Sequence, residues 1–320
     1  MPTKPLMTIW KKSSTIQKLF YVSIIITVIH IISKINFTQK EGFNTEDKIN
    51  KSKSSKKFVI KKGVDIYDDF YVSVYDDLLH SEIKDNFEID NIIHRTMKNN
   101  KISDNLILDI GSGTGHHVKA FTEKNIKTIG IDISPAMIKK SKQLYPNGDY
   151  RLADALKTIN FNANSFSHIL CLYFTIYYIK NKKLFFNNCI HWLMPGGYLI
   201  LHLVDREKFD PIIPAGDPFT IISPQKYAEK RITSTTVKFD NMEYKSNFDI
   251  INSNDIAFLN EIFKNINTGD IRKNEHKLFM STQRDILSLA KDSGFILRDK
   301  IDMTNCQYND QYLYILQKPI

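Results

Sequence analysis

Gly111, Gly113 and Gly115 recur at every second position directly after Asp109-Ile110, at the end of the run Asn105-Leu-Ile-Leu-Asp-Ile-Gly-Ser-Gly-Thr-Gly115. Glycine at that spacing permits a tight turn and lets a ligand approach the backbone where a Cβ would collide. Asp132 and Asp154 each close a later short run, Thr128-Ile-Gly-Ile131 and Tyr150-Arg-Leu-Ala153. A carboxylate at the end of the strand after a glycine loop can accept hydrogen bonds from both ribose hydroxyls. The chemistry on offer is capture of a nucleoside-like ligand. Two nucleotide binders are disfavoured: a dinucleotide fingerprint needs a third glycine where His116 stands, and no Gly-x-x-x-x-Gly-Lys-Ser/Thr occurs.

These residues need elements to carry them. Leu106, Ile107 and Leu108 form an apolar run that reads as a buried parallel strand. From His116 to Lys124, Val118, Phe121 and Thr122 fall at helical spacing, so a helix N-terminus is aimed at the loop. A second helix starts after Asp132, with Ser134 as its N-cap and Pro135 at its first position. Ser165–Leu172 and Leu193–Leu201 read as two more strands. This βαβ alternation predicts an α/β fold with a mostly parallel sheet.

Asp109 before Gly-x-Gly-x-Gly, the acids Asp132 and Asp154, and the last two strands resemble, in order, the motifs of class I S-adenosylmethionine (SAM)-dependent methyltransferases. The resemblance implies a Rossmann-like, seven-stranded, mostly parallel sheet with helices on both faces. It implies SAM as cofactor, held by Asp109, Gly111, Ser112, Gly113, Gly115, Asp132, Ile133, Met137, Asp154, Ala155 and Leu172, with Asp154 facing the adenine amino group. Tyr71-Val-Ser-Val-Tyr75-Asp76 resembles the family's helix ahead of the first strand, so Tyr71 and Tyr75 are expected to wall the donor pocket. The fourth strand departs from the family's Phe-Asp opening, with Ser167 and His168 in that region; the change is expected to touch capping more than chemistry.

For the acceptor, the loop Tyr173-Phe-Thr-Ile-Tyr-Tyr178 lies at the sheet edge where open α/β folds bind ligands. It lacks the Asp/Asn-Pro-Pro-Tyr/Phe pattern of the adenine and glutamine methyltransferases. Tyr178 and His276 are the catalytic candidates. His276 by itself reads as a solvated histidine; Glu275-His276 before an apolar strand resembles a feature of some small-molecule N-methyltransferases. The expected activity is methyl transfer from SAM to a small molecule, lipid or protein. The alternatives are a SAM-binding protein without that activity, or another enzyme class on a Rossmann-like fold.

The 320 residues carry a formal charge of +9, and 42% are hydrophobic, enough for a sizeable core. Residues 1–62 hold 13 lysines against Glu41, Glu46 and Asp47, a balance of +10 that leaves −1 for the rest. The basicity belongs to the tail, so nucleic acid is not the expected partner. Leu19 to Ser33 carries no formal charge and is apolar on every side. Residues 16–37 would suffice for a single membrane pass if Lys18 and Lys34 snorkel. No small-x-small cleavage site follows, so an uncleaved anchor is favoured over a removable signal peptide; a buried helix or core strand is the plainer reading. Cys171, Cys189 and Cys306 show neither a disulfide framework nor metal-ligand spacing. Free thiols favour the cytosolic side for the catalytic domain, while lysines in similar number on both flanks of the apolar run leave the orientation open.

The expected organisation is a tail with the membrane helix (1–37), a lysine-rich linker (38–62) and the methyltransferase domain (63–320). Residues 64–80 and 88–98 read as helices, and Tyr67, Tyr71 and Tyr75 share one face of the first. An antiparallel lid is inserted at about 205–281. Two strands close the chain, at Gly294–Ile296 and Gln311–Leu316.

Overall fold

The computed structural model describes residues 17–18, 57–97, 104–211, 230–239, 241–251 and 254–320. In chain order these form strand β1 (Phe58–Lys62), helices α1 (Asp69–Leu79) and α2 (Glu82–Thr96), β2 (Leu106–Ile110), α3 (His116–Glu123), β3 (Lys127–Asp132), α4 (Pro135–Leu144), β4 (Asp149–Leu152) and β5 (Phe166–Cys171). Then follow α5 (Thr175–Tyr178), α6 (Lys182–Trp192), β6 (Leu193–Val204), β7 (Ser234–Phe239), β8 (Met242–Ile251), β9 (Ile256–Asn265), β10 (Ile271–Phe279), α7 (Gln283–Asp292), β11 (Ile296–Asp302) and β12 (Gln311–Gln317).

The first sheet has seven strands in the order β11-β12-β6-β5-β2-β3-β4. Strands β4 to β6 of that order run parallel, and β12 and β11 close it antiparallel. Strand β2 is central because its apolar residues supply both faces. Leu108 and Ile110 join a core with Phe185, Trp192 and Ile286 from α6 and α7. Ile107 joins the opposite core with Ile89, Ile92 and Phe121 from α2 and α3. Helices therefore cover both faces, as the periodicity requires. Ser134 caps α4 through Met137 N (3.1 Å), with Pro135 at the first turn.

Ser167 and His168 serve structure. Ser167 Oγ accepts from Leu106 N (2.9 Å) and donates to Leu106 O (3.0 Å). His168 Nε2 lies 2.9 Å from Thr96 Oγ1. Leu193–Gly197 forms the first part of β6, where the pairing with β5 shifts register.

The second sheet, β1-β10-β9-β8-β7, is the lid. Its first strand corrects the reading of 38–62 as linker throughout: Phe58–Lys62 pairs in parallel with Ile271–Glu275. Two helix readings shift as well. Helix α2 begins at Glu82, capped by the Ser81 side chain, which accepts from Lys84 N, and not at Glu88. Tyr67 lies ahead of α1, not on it, yet its ring still meets Tyr71 edge-on at 5.5 Å.

The membrane helix expected within 16–37 falls almost wholly outside the described residues. Among the described residues no helix is long and apolar enough to cross a membrane.

Candidate active site

The β2–α3 loop turns because Gly111 (φ +73°), Gly113 (φ +54°) and Gly115 (φ +94°) occupy the left-handed region. Each has its own reason. A Cβ on Gly111 would lie 2.5 Å from Thr175 Oγ1, and one on Gly115 would lie 2.7 Å from the Tyr150 ring. A Cβ on Gly113 would find nothing closer than Tyr75 at 3.8 Å, so that backbone faces open space. A side chain at Gly113 would meet no clash, whereas Gly115 starts the helix and admits Tyr150.

At the end of β3, Asp132 accepts hydrogen bonds from Gly113 N (3.1 Å) and Ser134 N (2.8 Å). Burial raises its carboxyl above the ordinary value, partly offset by these backbone donors. Ile133 beside it is 54% exposed, an apolar surface available to a flat ring. Asp154 Oδ1 accepts from Leu156 N (2.9 Å). Asp109 is buried, and burial pushes its carboxyl up to about 6, against the pull of His117 and with Glu88 and Asp132 adding to it.

A cavity of about 1330 Å³ runs along this edge. Tyr71, Tyr75, Asp109, Gly111, Ser112, Gly113, Asp132, Ile133, Met137, Asp154, Ala155 and Leu172 line it, and so does Tyr178. Gly115 and His276 do not. Ser112 Oγ is buried there without a hydrogen-bond partner in the protein. An open backbone at Gly113, a carboxylate beside an exposed isoleucine and an orphan hydroxyl fit a nucleoside carrying a polar tail, as SAM does.

On the acceptor side, the structure brings Tyr178 and His276 together. The Tyr178 hydroxyl lies 2.8 Å from His276 Nδ1, and His276 Nε2 lies 2.7 Å from Glu261 Oε2. The reading of His276 as solvated is corrected, since the residue is 1% exposed: β10 turns it inward, beneath the lid. Tyr67 packs edge-on against both Tyr178 (6.1 Å) and His276 (6.0 Å). Tyr173, also in the cavity lining, holds φ +50°, a strained conformation for a bulky side chain at the end of β5.

Sequence reasoning missed two sets of residues. Glu261 belongs to no motif of the sequence. Lys84 and Asp85 lie ahead of the helix expected at 88–98, yet with Glu88 they are buried on α2, with Lys84 Nζ 2.8 Å from Asp85 Oδ1 and 2.9 Å from Glu88 Oε2. His117 Nε2 meets the same Glu88 oxygen at 2.8 Å. Burial would raise the Glu88 carboxyl, but Lys84 and His117 hold it below the ordinary value. The i, i+4 spacing of Lys84 and Glu88 was the available signal. Asp85, Glu88 and His117 are close enough to hold a metal ion, yet the Lys84 ammonium already supplies the positive charge.

Residues 108–201 match the family described as "Methyltransferase domain". Over 101 residues the chain is 30% identical to "Putative methyltransferase 235L" of Invertebrate iridescent virus 6, covering 31% of this chain and 37% of that protein. The chain thus spans little more than a third of that relative. Among solved structures, the CcbJ methyltransferase from Streptomyces caelestis superposes with a TM-score of 0.61 at 13% identity, covering 79% of this chain and 98% of that one. The SAM-bound CalS10 of Micromonospora echinaspora, an amino pentose methyltransferase, gives 0.55 at 16% identity, covering 78% and 96%. At these identities the structural likeness establishes the fold. Residues 108–201 thus carry a methyltransferase domain, and the fold around it is the one seen in solved SAM-dependent methyltransferases.

Proposed function

We propose that the protein transfers a methyl group from SAM to a proton-bearing nitrogen or oxygen of a small molecule. The observation that carries this reading is one continuous cavity. It joins the glycine loop and Asp132 to Tyr178, roofed by Val237, Phe248, Leu259 and Leu278 of the lid. Its volume, about 1330 Å³, exceeds the roughly 300–1,000 Å³ of ordinary small-ligand pockets, so it has room for a donor and a modest acceptor.

Gly111–Gly113, Asp132 and Asp154 would hold the donor, and Tyr75 would close over it. SAM, when bound, supplies a methyl group already activated on its sulfonium. The chain's own tasks are to align the acceptor, exclude water and accept a proton. The apolar lid strands perform the exclusion. Tyr178, backed by His276, stands where a proton would leave.

The proposal extends to the tail. The uncharged run Leu19–Ser33 and its flanking lysines support a single-pass anchor, with the catalytic domain on the cytosolic side, where the free buried Cys171, Cys189 and Cys306 stay reduced.

Tritiated-methyl transfer from SAM into fractionated lysate tests the acceptor class. Label in the small-molecule fraction supports the reading. Label confined to lipid, protein or nucleic acid contradicts it.

A further inference from the structure

Glu261 is fully buried on β9, and both of its oxygens are occupied. Oε1 accepts from Tyr71 OH (3.1 Å) and Tyr244 OH (2.9 Å), and Oε2 accepts from Asn274 Nδ2 (3.0 Å) and meets His276 Nε2 (2.7 Å). None of these four partners is a lysine or arginine. Four strong contacts keep the carboxylate ionised in a dry site, where a lone charge is otherwise expensive. Burial would raise its carboxyl, but His276, Asn274 and Tyr244 together hold it below the ordinary value.

An ionised carboxylate can only accept. The contact at 2.7 Å therefore requires a proton on His276 Nε2, and the neutral ring must present its Nδ1 lone pair to the Tyr178 hydroxyl. Tyr178 lines the cavity, whereas His276 and Glu261 lie behind it.

We infer that Glu261 is a positioning residue which sets the tautomer of His276, so that the acceptor's proton leaves the cavity through the Tyr178 hydroxyl. The inference rests on the proposed role of Tyr178 and deepens it. Only protons move. The acceptor's proton passes to Tyr178 O as the Tyr178 proton passes to His276 Nδ1, and the resulting imidazolium stands against the Glu261 anion. Tyrosine ends as it began, and the ring later releases its proton to solvent.

The titratable groups facing His276 are Glu261 from β9, Tyr178 from α5, Tyr71 from α1 and Tyr67 ahead of α1. Tyr244 from β8 reaches it through Glu261. Glu261 is the one anion among them.

The test uses the full chain with ¹⁵N-imidazole-labelled histidine, the His276 signals being assigned by their loss in His276→Gln. The neutral ring is expected to carry its proton on Nε2 and none on Nδ1. In Glu261→Gln, which no longer offers an acceptor-only group to Nε2, the preference for the Nε2–H tautomer is expected to weaken towards a mixture with Nδ1–H. Calorimetry on the same samples should show SAM affinity within about twofold of the unsubstituted chain. A proton on Nδ1 of the neutral ring in the unsubstituted chain overturns the inference, as does an undiminished Nε2–H preference in a folded Glu261→Gln. If that variant does not fold, the tautomer in the unsubstituted chain decides. Failure to bind SAM would refute the donor site and leave the tautomer result standing.

Discussion

Gly113 N and Asp132 Oδ2 are 3.1 Å apart, so the carboxylate at the end of β3 is clasped to the loop that follows β2. One side chain thereby shapes the glycine loop and faces the cavity beside it. Ser134 N binds its other oxygen at 2.8 Å, which ties the start of α4 to the same point.

Asp132→Ala is therefore expected to weaken SAM binding twice over, by removing a ribose acceptor and by loosening the loop. Each charged hydrogen bond lost costs about 1.5–3 kcal/mol. Asp132→Asn keeps acceptor geometry and should fall between the two. Titration calorimetry checks the order; equal affinities across the three proteins would remove Asp132 from the site.

Stability should fall as pH drops from about 6.5 to about 4. Burial pushes both His168 and His202 down to about 4. Unfolded histidine takes its proton near 6.5. Between those values the unfolded chain binds more protons than the folded one, so stability is lost as pH falls and the loss is complete near 4. Each histidine contributes about 1.4 kcal/mol per pH unit within that window. Denaturant unfolding at pH 7 and pH 5 measures the slope, which should flatten in His168→Gln. A slope of opposite sign would mean that these imidazoles are charged in the fold.

Tyr178→Phe removes the hydroxyl that reaches the cavity, and His276→Ala removes its partner. Both should slow methyl transfer by about a hundredfold. Both should leave SAM affinity within about twofold, under ~0.5 kcal/mol. A rate loss in His276→Ala without one in Tyr178→Phe would take the tyrosine out of the proton's path.

The anchor proposal predicts that the full chain pellets with membranes and resists both salt and alkaline carbonate. Release by carbonate alone would indicate a segment lying on the surface.

What could be read from the sequence was what depends on near neighbours. The β2 run, the glycines, the Ser134–Pro135 cap, Asp132 at the end of β3 and Asp154 just after β4 follow local periodicity and turn chemistry. Features that depend on distant pairing were illegible. Phe58–Lys62 is a strand only because Ile271–Glu275 lies beside it, more than 200 residues later. Glu261 gains its meaning from Tyr71, Tyr178 and His276, which come from three other elements. Lys84 and Glu88 carry the pattern of a solvated helix face, and only the packing of α3 against α2, which places His117 on Glu88, makes them interior.

The central claim is that the open backbone at Gly113 receives SAM. Calorimetric titration of the full chain with SAM, beside Gly113→Val, tests it most directly. A valine there would face strain at φ +54° and would fill space that the protein itself leaves open. Saturable one-site binding by the unsubstituted chain, lost in a Gly113→Val variant that still melts cooperatively, is the predicted result. Equal affinity in the two proteins, or no binding by either, would contradict the account.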